Sequence, residues 1–549
     1  MTDTIQMKIA GMTCSHCEQT VEQALSTAGA TDASADFRRG QATFQWSDDK
    51  DLGSAKDAVA QAGYQPEGVQ VLKGSSERAR ARSDGGGWNL AILGSGSAAF
   101  AAAIRARDAG ARVVMIEQST LGGTCVNVGC VPSKATVAAA DLYYRAGHNP
   151  FGGTSTQAAG VDLKALVAQK GDLVSQMRRE KYADLVEEYG WTVLHGRAAF
   201  ADDTTLMVDG EPLSADHYLI ATGASPAIPP IPGLRDVGYL TSTTALELTE
   251  LPESLVVIGA NAIGLEMGQL FLHLGSRVTF LEVVDRIAPF EEPEISAALT
   301  KVLTDQGAEV LASAHILQVE RHGEQRRVQV EMGPKTRVIE AAQVLVATGR
   351  RPNTAHLQLD HAGIKTDGRG SVTVDEHLQT SNRRVWAAGD VTGAPQFVYV
   401  SAYQGTVAAD NMLNSNSRIV DLSALPRVTF TTPQIASVGM TEQDAAREGY
   451  APKTSLLPLS AVPRALVNQE TRGLFKLVAD EVTDKLLGVH ILADNAGDVI
   501  YSGVLAIKFN LTVTDITTTF DPYLTMAEGF KLAAQTFGKD VSKLSCCAA

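Results

Sequence analysis

Twice in this 549-residue chain an apolar strand runs into a glycine turn and out into an apolar helix, and this restricts the fold more than any other feature. The first instance is NLAILGSGSAAF from Asn89; the second is SLVVIGANAIGLE from Ser254. In the first, Gly94 allows a tight turn, Gly96 lets the backbone approach a pyrophosphate, and Ala99 permits close helix–strand packing. The helix N-terminus then offers unpaired N–H groups to phosphate. The next strand, ARVVMIE, ends at Glu117, an acid placed to accept hydrogen bonds from adenosine ribose hydroxyls. The second instance has Gly259, Asn261 and Gly264, followed by RVTFLE ending at Glu282. Asn261 stands where a second glycine is usual and crowds the backbone at the pyrophosphate. Glu282 favours the free ribose of NAD and repels the 2′-phosphate of NADP, but Arg286 lies nearby. NADP(H) and NADH both stay open.

Strands followed by helices from Trp88 onward imply an α/β fold with two doubly wound nucleotide-binding domains. Residues 88–232 together with 351–425 are expected to build one of these domains and 233–350 the other. From Pro426 the runs RVTFTT, LFKLVAD and LLGVHIL alternate with two helices, an α+β domain over 426–549. Residues 1–70 read as a separate unit. Their order is strand IQMKIAGM, helix SHCEQTVEQALSTAG, strands ASADFRR and QATFQW, helix SAKDAVAQAG and strand YQPEGVQVL. That is the ferredoxin-like βαββαβ plan. Residues 71–87, mostly Gly, Ser and Arg, form a flexible linker.

A net charge of −15 argues against nucleic acid as a partner. No run approaches the roughly 20 apolar residues that span a bilayer. The start, MTDTIQMKIAGMTC, lacks the basic and apolar segments of a secretory signal, so the cytoplasm is the expected location.

Six cysteines are too few for a disulfide scaffold in a chain this long, yet all fall into close pairs: Cys14/Cys17, Cys125/Cys130 and Cys546/Cys547. Such pairing points to metal or redox chemistry in a reducing compartment. Five residues apart on one ideal helix, Cys125 and Cys130 would have Cα atoms about 8–9 Å apart, too far for a disulfide. Bridging therefore requires a distorted first turn, which the flanking glycines permit, and a following helix N-terminus would lower the thiolate pKa. Cys14 and Cys17 sit between a strand and a helix, where two thiols suit linear coordination of a soft cation. The vicinal Cys546 and Cys547 supply two thiolates on a terminal tail.

Cys125-x4-Cys130 followed by Val131-Pro132-Ser133-Lys134 resembles the redox-active site of the pyridine nucleotide–disulfide oxidoreductases. The resemblance extends to Ala221-Thr222-Gly223, Ala347-Thr348-Gly349-Arg350 and Trp386-Ala387-Ala388-Gly389-Asp390. It implies FAD and a nicotinamide nucleotide as cofactors. Gly123, Thr124, Thr222, Gly223, Gly349 and Asp390 would contact them, Asp390 at the ribityl chain. Lys134 and Glu266 would pair beside the flavin, Cys130 would face the flavin, and Cys125 would exchange with substrate.

Disulfide reductases of that family carry a His–Glu dyad near the C-terminus. Counting back from Glu528, the histidine position here holds Tyr523. A phenol with pKa near 10 is a poor proton shuttle at neutral pH, whereas a thiolate-held metal needs none. In Tyr523 and the terminal Cys546-Cys547 the chain resembles the mercuric reductase branch, and Tyr182 resembles a second active-site tyrosine there. A surface-helix tyrosine is the other reading of Tyr182. The Gly11-Met-Thr-Cys14-Ser-His-Cys17 loop resembles heavy-metal-associated domains. These resemblances imply reduction of Hg(II), presented as thiolate complexes, to Hg(0), in a homodimer whose tail serves the neighbouring subunit. A disulfide reductase with a fused metal domain and a soft-metal carrier are the competing readings.

Overall fold

The computed structural model describes residues 2–12, 15–37, 40–47, 52–72, 87–393, 395–414 and 416–540. Cys14, Cys546, Cys547 and residues 73–86 of the expected linker lie outside them.

The N-terminal unit is a four-stranded antiparallel sheet in the order Thr31–Asp36, Gln41–Ser47, Thr2–Ala10, Gln65–Leu72. Alternation along Gln41–Ser47 turns Ala42, Phe44 and Trp46 inward. Helix Ser15–Thr27 lays fully buried Val21 and Leu25 on that face, giving the expected βαββαβ arrangement.

The first nucleotide unit has five parallel strands, ordered Val385–Ala387, Ala215–Ile220, Trp88–Leu93, Val113–Glu117, Thr192–His195. Every residue of Val113–Glu117 is buried, as a parallel sheet covered on both faces requires. Helix Val398–Leu413 returns from far along the chain to pack on helix Ser97–Asp108. A Cβ at Gly405 would lie 2.1 Å from the Ala98 carbonyl oxygen, so glycine is required where the helices touch.

The second unit orders four parallel strands as Glu309–Leu311, Arg277–Leu281, Ser254–Ile258, Gln343–Val346. It also carries an antiparallel meander over His315–His322, Gln325–Met332 and Lys335–Ala341. A short two-stranded antiparallel ladder pairs Ala224–Pro226 with Arg350–Pro352, so the chain enters and leaves this unit side by side.

The last unit is a five-stranded antiparallel sheet with helices, α+β as expected but richer than three strands and two helices. Gln434–Gly439 and Pro452–Pro458 are additional strands. Pro452–Pro458 is an edge strand, where proline costs no ladder bond, which is why its sequence reads as a loop. Five α-helices among the described residues accompany the sheet where two were expected: Glu442–Arg447, Pro463–Asn468, Ala496–Lys508, Val513–Thr518 and Glu528–Gln535. Among the described residues no helix is long and apolar enough to cross a membrane.

Candidate active site

The first glycine turn opens onto a cleft of about 580 Å³. Gly94, Gly96, Glu117, Gly123, Thr124, Thr222 and Gly223 line it; Ala99 lies behind the wall, fully buried. Gly94 has φ +104°, and a Cβ there would lie 2.4 Å from the Ala221 carbonyl oxygen. At Gly96 a Cβ would meet no protein atom within 4 Å and φ is −77°, so the fold itself does not demand glycine. The open space over Gly96 fits a pyrophosphate at the helix N-terminus. Glu117 is buried. One carboxylate oxygen accepts from the Ser95 hydroxyl at 2.6 Å, and the other from the Ser119 N–H at 2.7 Å and hydroxyl at 3.0 Å. These residues fit the adenosine half of FAD.

From the cleft wall the chain enters the short helix Gly123–Asn127, breaks at Val128-Gly129, and starts helix Cys130–Gly147. Cys125 and Cys130 therefore lie on two helices rather than one, which removes the spacing obstacle of an unbroken helix. Both are reduced thiols here. The Cys125 thiol hydrogen-bonds to Cys130, which holds the Cys130 pKa down to about 7 and pushes Cys125 up. Burial opposes the thiolate at Cys130; the Lys134 ammonium and its own backbone N–H at the helix start favour it. One thiolate thus forms near neutral pH, on Cys130.

Lys134, one turn along that helix, donates to Glu266 at 2.5 Å. Glu266 is buried on helix Ala262–Leu274, and its other oxygen accepts from the Phe430 N–H at 3.0 Å. That helix begins at the second glycine turn, so a single ion pair ties the second cradle to the dithiol. At Gly264 a Cβ would fall 1.8 Å from the Gly259 carbonyl oxygen. Asn261 occupies the helix N-cap with φ −107°, ordinary extended backbone, so the chain itself takes the side chain without strain. Glu282 is buried and accepts from the Ala260 and Val283 N–H groups, both at 2.8 Å. The turn and terminal acid fit the adenosine end of a nicotinamide nucleotide.

Asp390 follows Gly389 at the start of a 3-10 turn, with its carboxyl pushed up by burial and Arg350 3.6 Å away. Gly349, with φ +105°, precedes the short strand that carries Arg350. Tyr182 is in a π-helical turn, Arg179–Ala183, a form often found at functional sites. Its ring packs edge-on against Phe100 at 4.7 Å, and burial and the charge of nearby Cys125 push its phenol up. Its ring therefore packs into the first nucleotide unit, within reach of the charge of Cys125.

Sequence family profiles match on all three segments. The pyridine nucleotide-disulphide oxidoreductase profile covers residues 88–405, its dimerisation domain 425–534, and the heavy-metal-associated domain 6–65. A mercuric reductase of Staphylococcus aureus is 52% identical over 546 residues, covering 100% of this chain and 99% of that protein. The chain belongs to the mercuric reductases of the pyridine nucleotide-disulphide oxidoreductase family. A mercuric reductase of Bacillus cereus is 50% identical, covering 99% of this chain and 87% of its own. Among solved structures, the Cu(II) complex of the flavoprotein disulfide reductase RclA from Escherichia coli is similar, with TM-score 0.74 and 31% identity over 83% of this chain and 100% of that one.

Two features bear on how a mercuric reductase would use this site. Tyr523 lies on the dimerisation domain, 52% exposed, in the same stretch as the fully exposed Phe520. Tyr501 and Phe509 are also exposed on the same domain. Glu528 is buried and accepts from the Arg464 and Leu524 N–H groups at 3.0 and 3.2 Å, which anchors the turn bearing Tyr523. In the metal-binding unit, half-buried Cys17 lies near the start of helix Ser15–Thr27, beside Glu18. Glu18 meets Arg179, in the turn that carries Tyr182, at 3.2 Å.

Sequence reasoning missed Tyr399 and Phe430, and gave Arg350 no role of its own. Tyr399 is close enough for the charge of Cys130 to act on its phenol, which burial pushes up to about 12. The Lys134 ammonium stands 4.7 Å over the Phe430 ring. No local motif announces Tyr399 or Phe430, because each arrives from a segment distant in sequence.

Proposed function

We propose that this chain reduces Hg(II) to Hg(0) with electrons from NAD(P)H, using FAD and the Cys125/Cys130 pair. The observation that carries this reading is the hydrogen-bonded Cys125/Cys130 dithiol beside the Lys134–Glu266 ion pair, in a chain whose acid–base histidine position holds Tyr523. Its likeness to mercuric reductases over the full length supports the same reading.

FAD, when bound, supplies two electrons taken from the nicotinamide nucleotide. Gly94, Gly96, Glu117, Gly123, Thr124, Thr222, Gly223 and Asp390 would hold it, and Gly259, Gly264, Glu282 and Gly349 would serve the nucleotide. Lys134, paired with Glu266, stabilises the thiolate of Cys130. Cys125 exchanges ligands with incoming mercury and Cys130 completes a two-thiolate site, as a soft cation prefers. Cys14 and Cys17 capture mercury. Cys546 and Cys547 of a second copy pass it inward, with Tyr523 beside them and Tyr182 near Cys125. The exposed apolar residues of the 426–540 segment support a homodimer, and the reduced Cys125/Cys130 pair suits the cytoplasm.

The test is purified holoenzyme with mercuric chloride, excess thiol and NAD(P)H under a mercury-vapour trap. Vapour should appear in step with nucleotide oxidation, and both should vanish in Cys130→Ala. Rapid turnover of lipoamide or glutathione disulfide with no vapour would mark a disulfide reductase instead.

A further inference from the structure

The chain holds an internal standard for nucleotide choice. Glu117 and Glu282 close the two cradles in the same way. At Glu117 one oxygen accepts a single bond, from the Ser95 hydroxyl, and the other accepts two, from the N–H and hydroxyl of Ser119. At Glu282 one oxygen accepts from the Ala260 N–H at 2.8 Å, and the other from the Val283 and Val284 N–H groups at 2.8 and 3.3 Å. A carboxylate has about four acceptor positions, so each of these acids keeps roughly one for a ligand hydroxyl. The ribose proposed to meet Glu117 is that of FAD, which carries a free 2′-hydroxyl. Matching acceptors at Glu282 suit the same sugar.

A 2′-phosphate needs cations, and the loop after Glu282 does not present one. Val283 and Val284 are exposed, and Asp285 adds a second carboxylate. Arg286 is turned into its own loop: Nη2 donates to the Pro289 carbonyl at 2.9 Å and the Glu291 carbonyl at 3.4 Å, and Nη1 lies 3.8 Å from Asp285. Reaching a 2′-phosphate would break those bonds and bring a dianion against the buried Glu282.

We propose that this cradle selects NADH over NADPH, with Glu282 as the residue that sets the choice. The inference rests on the reading of this cradle as the nicotinamide-nucleotide site.

Calorimetric titration of oxidised holoenzyme with ADP-ribose and with 2′-phospho-ADP-ribose tests it without mercury or turnover. ADP-ribose should bind at least about tenfold more tightly. Glu282→Ala should shrink that ratio chiefly by weakening ADP-ribose, and Val283→Arg should shrink it by strengthening the 2′-phosphate. Equal binding of the two ligands by the unaltered protein, or tighter binding of the phosphate, overturns the proposal. So does a Glu282→Ala protein in which both ligands weaken equally, since that is a merely structural role. Because the titration contains no mercury, a preserved ratio alongside failed mercury reduction would sink the enzymatic reading and leave the nucleotide choice standing.

Discussion

At Glu117 and at Glu282 a strand-terminal carboxylate is buried and bonded beside a glycine turn, yet the surroundings differ. The first acid lies in a cleft of about 580 Å³ walled by separate stretches of chain, including Gly123-Thr124 and Arg351–Leu357. The second is followed by Val283 and Val284, which are 55% and 42% exposed. Local chemistry therefore settles what kind of group each turn accepts, and the walls settle how long it stays. A cleft walled by several stretches of chain suits a resident flavin, and an exposed loop suits a nucleotide that leaves after each turnover.

Substitution at the first glycine of each turn would break that comparison most sharply. Gly94→Val places a Cβ against the Ala221 carbonyl, and Gly259→Val places one 2.6 Å from the Ala347 carbonyl; both positions have positive φ. Purified Gly94→Val should lack visible flavin absorbance. Gly259→Val should keep its flavin but lose NAD(P)H-driven flavin reduction by at least about 100-fold, an effect of roughly 3 kcal/mol. Equal flavin loss in both would mean the cradles are not separable.

A smaller effect is expected from Glu117→Ala, which removes a carboxylate accepting three hydrogen bonds. Bonds to a charged group are worth about 1.5–3 kcal/mol, so flavin should dissociate roughly 10- to 100-fold more readily in an equilibrium release assay. Apoprotein stability should fall as well, because all three of those bonds are made within the chain.

The dithiol joins the two cradles, and its titration sharpens the comparison further. The Cys130 pKa is lowered to about 7, so its thiolate is present above that pH and is lost as the pH falls through it. Alkylation of the reduced protein by iodoacetamide should therefore be half-maximal near pH 7. In Lys134→Met the midpoint should move up, and alkylation at neutral pH should slow by up to about tenfold as the thiolate fraction falls. An unmoved midpoint would mean that Lys134 does not act on the thiolate.

Smallest of all is the contact between the metal-binding unit and the turn bearing Tyr182. Arg179 is 21% exposed and Glu18 7%, and the pair stands outside the reacting Cys125/Cys130 dithiol. Glu18→Arg should slow mercury reduction only a few-fold, and only when mercury is scarce relative to enzyme. Restoring the pair in reverse with Arg179→Glu should recover part of that loss.

The features legible in the sequence are those carried by a few neighbouring residues. Gly94 and Gly259, the acids at Glu117 and Glu282, and the Cys125/Cys130 spacing each declare themselves within a short stretch of chain. The rest depends on distant segments meeting. Phe430 reaches Glu266, and Tyr399 nears Cys130, through tertiary packing that leaves no periodicity to read. The orientation of Arg286 belongs to the same class, since its place shortly after Glu282 says nothing about which way it turns. Edge strand Pro452–Pro458 is hidden for a different reason, its prolines being tolerated only because one side of it has no neighbour.

Whether electrons stored beside the Cys125/Cys130 pair go to a metal ion is decided by an anaerobic single-turnover experiment. Holoenzyme carrying two-electron-reduced flavin and reduced thiols is mixed with one equivalent of Hg(II) and no nicotinamide nucleotide. One Hg(0) should be released for each flavin that returns to its oxidised spectrum. Mercury held on the protein while the flavin stays reduced would contradict it.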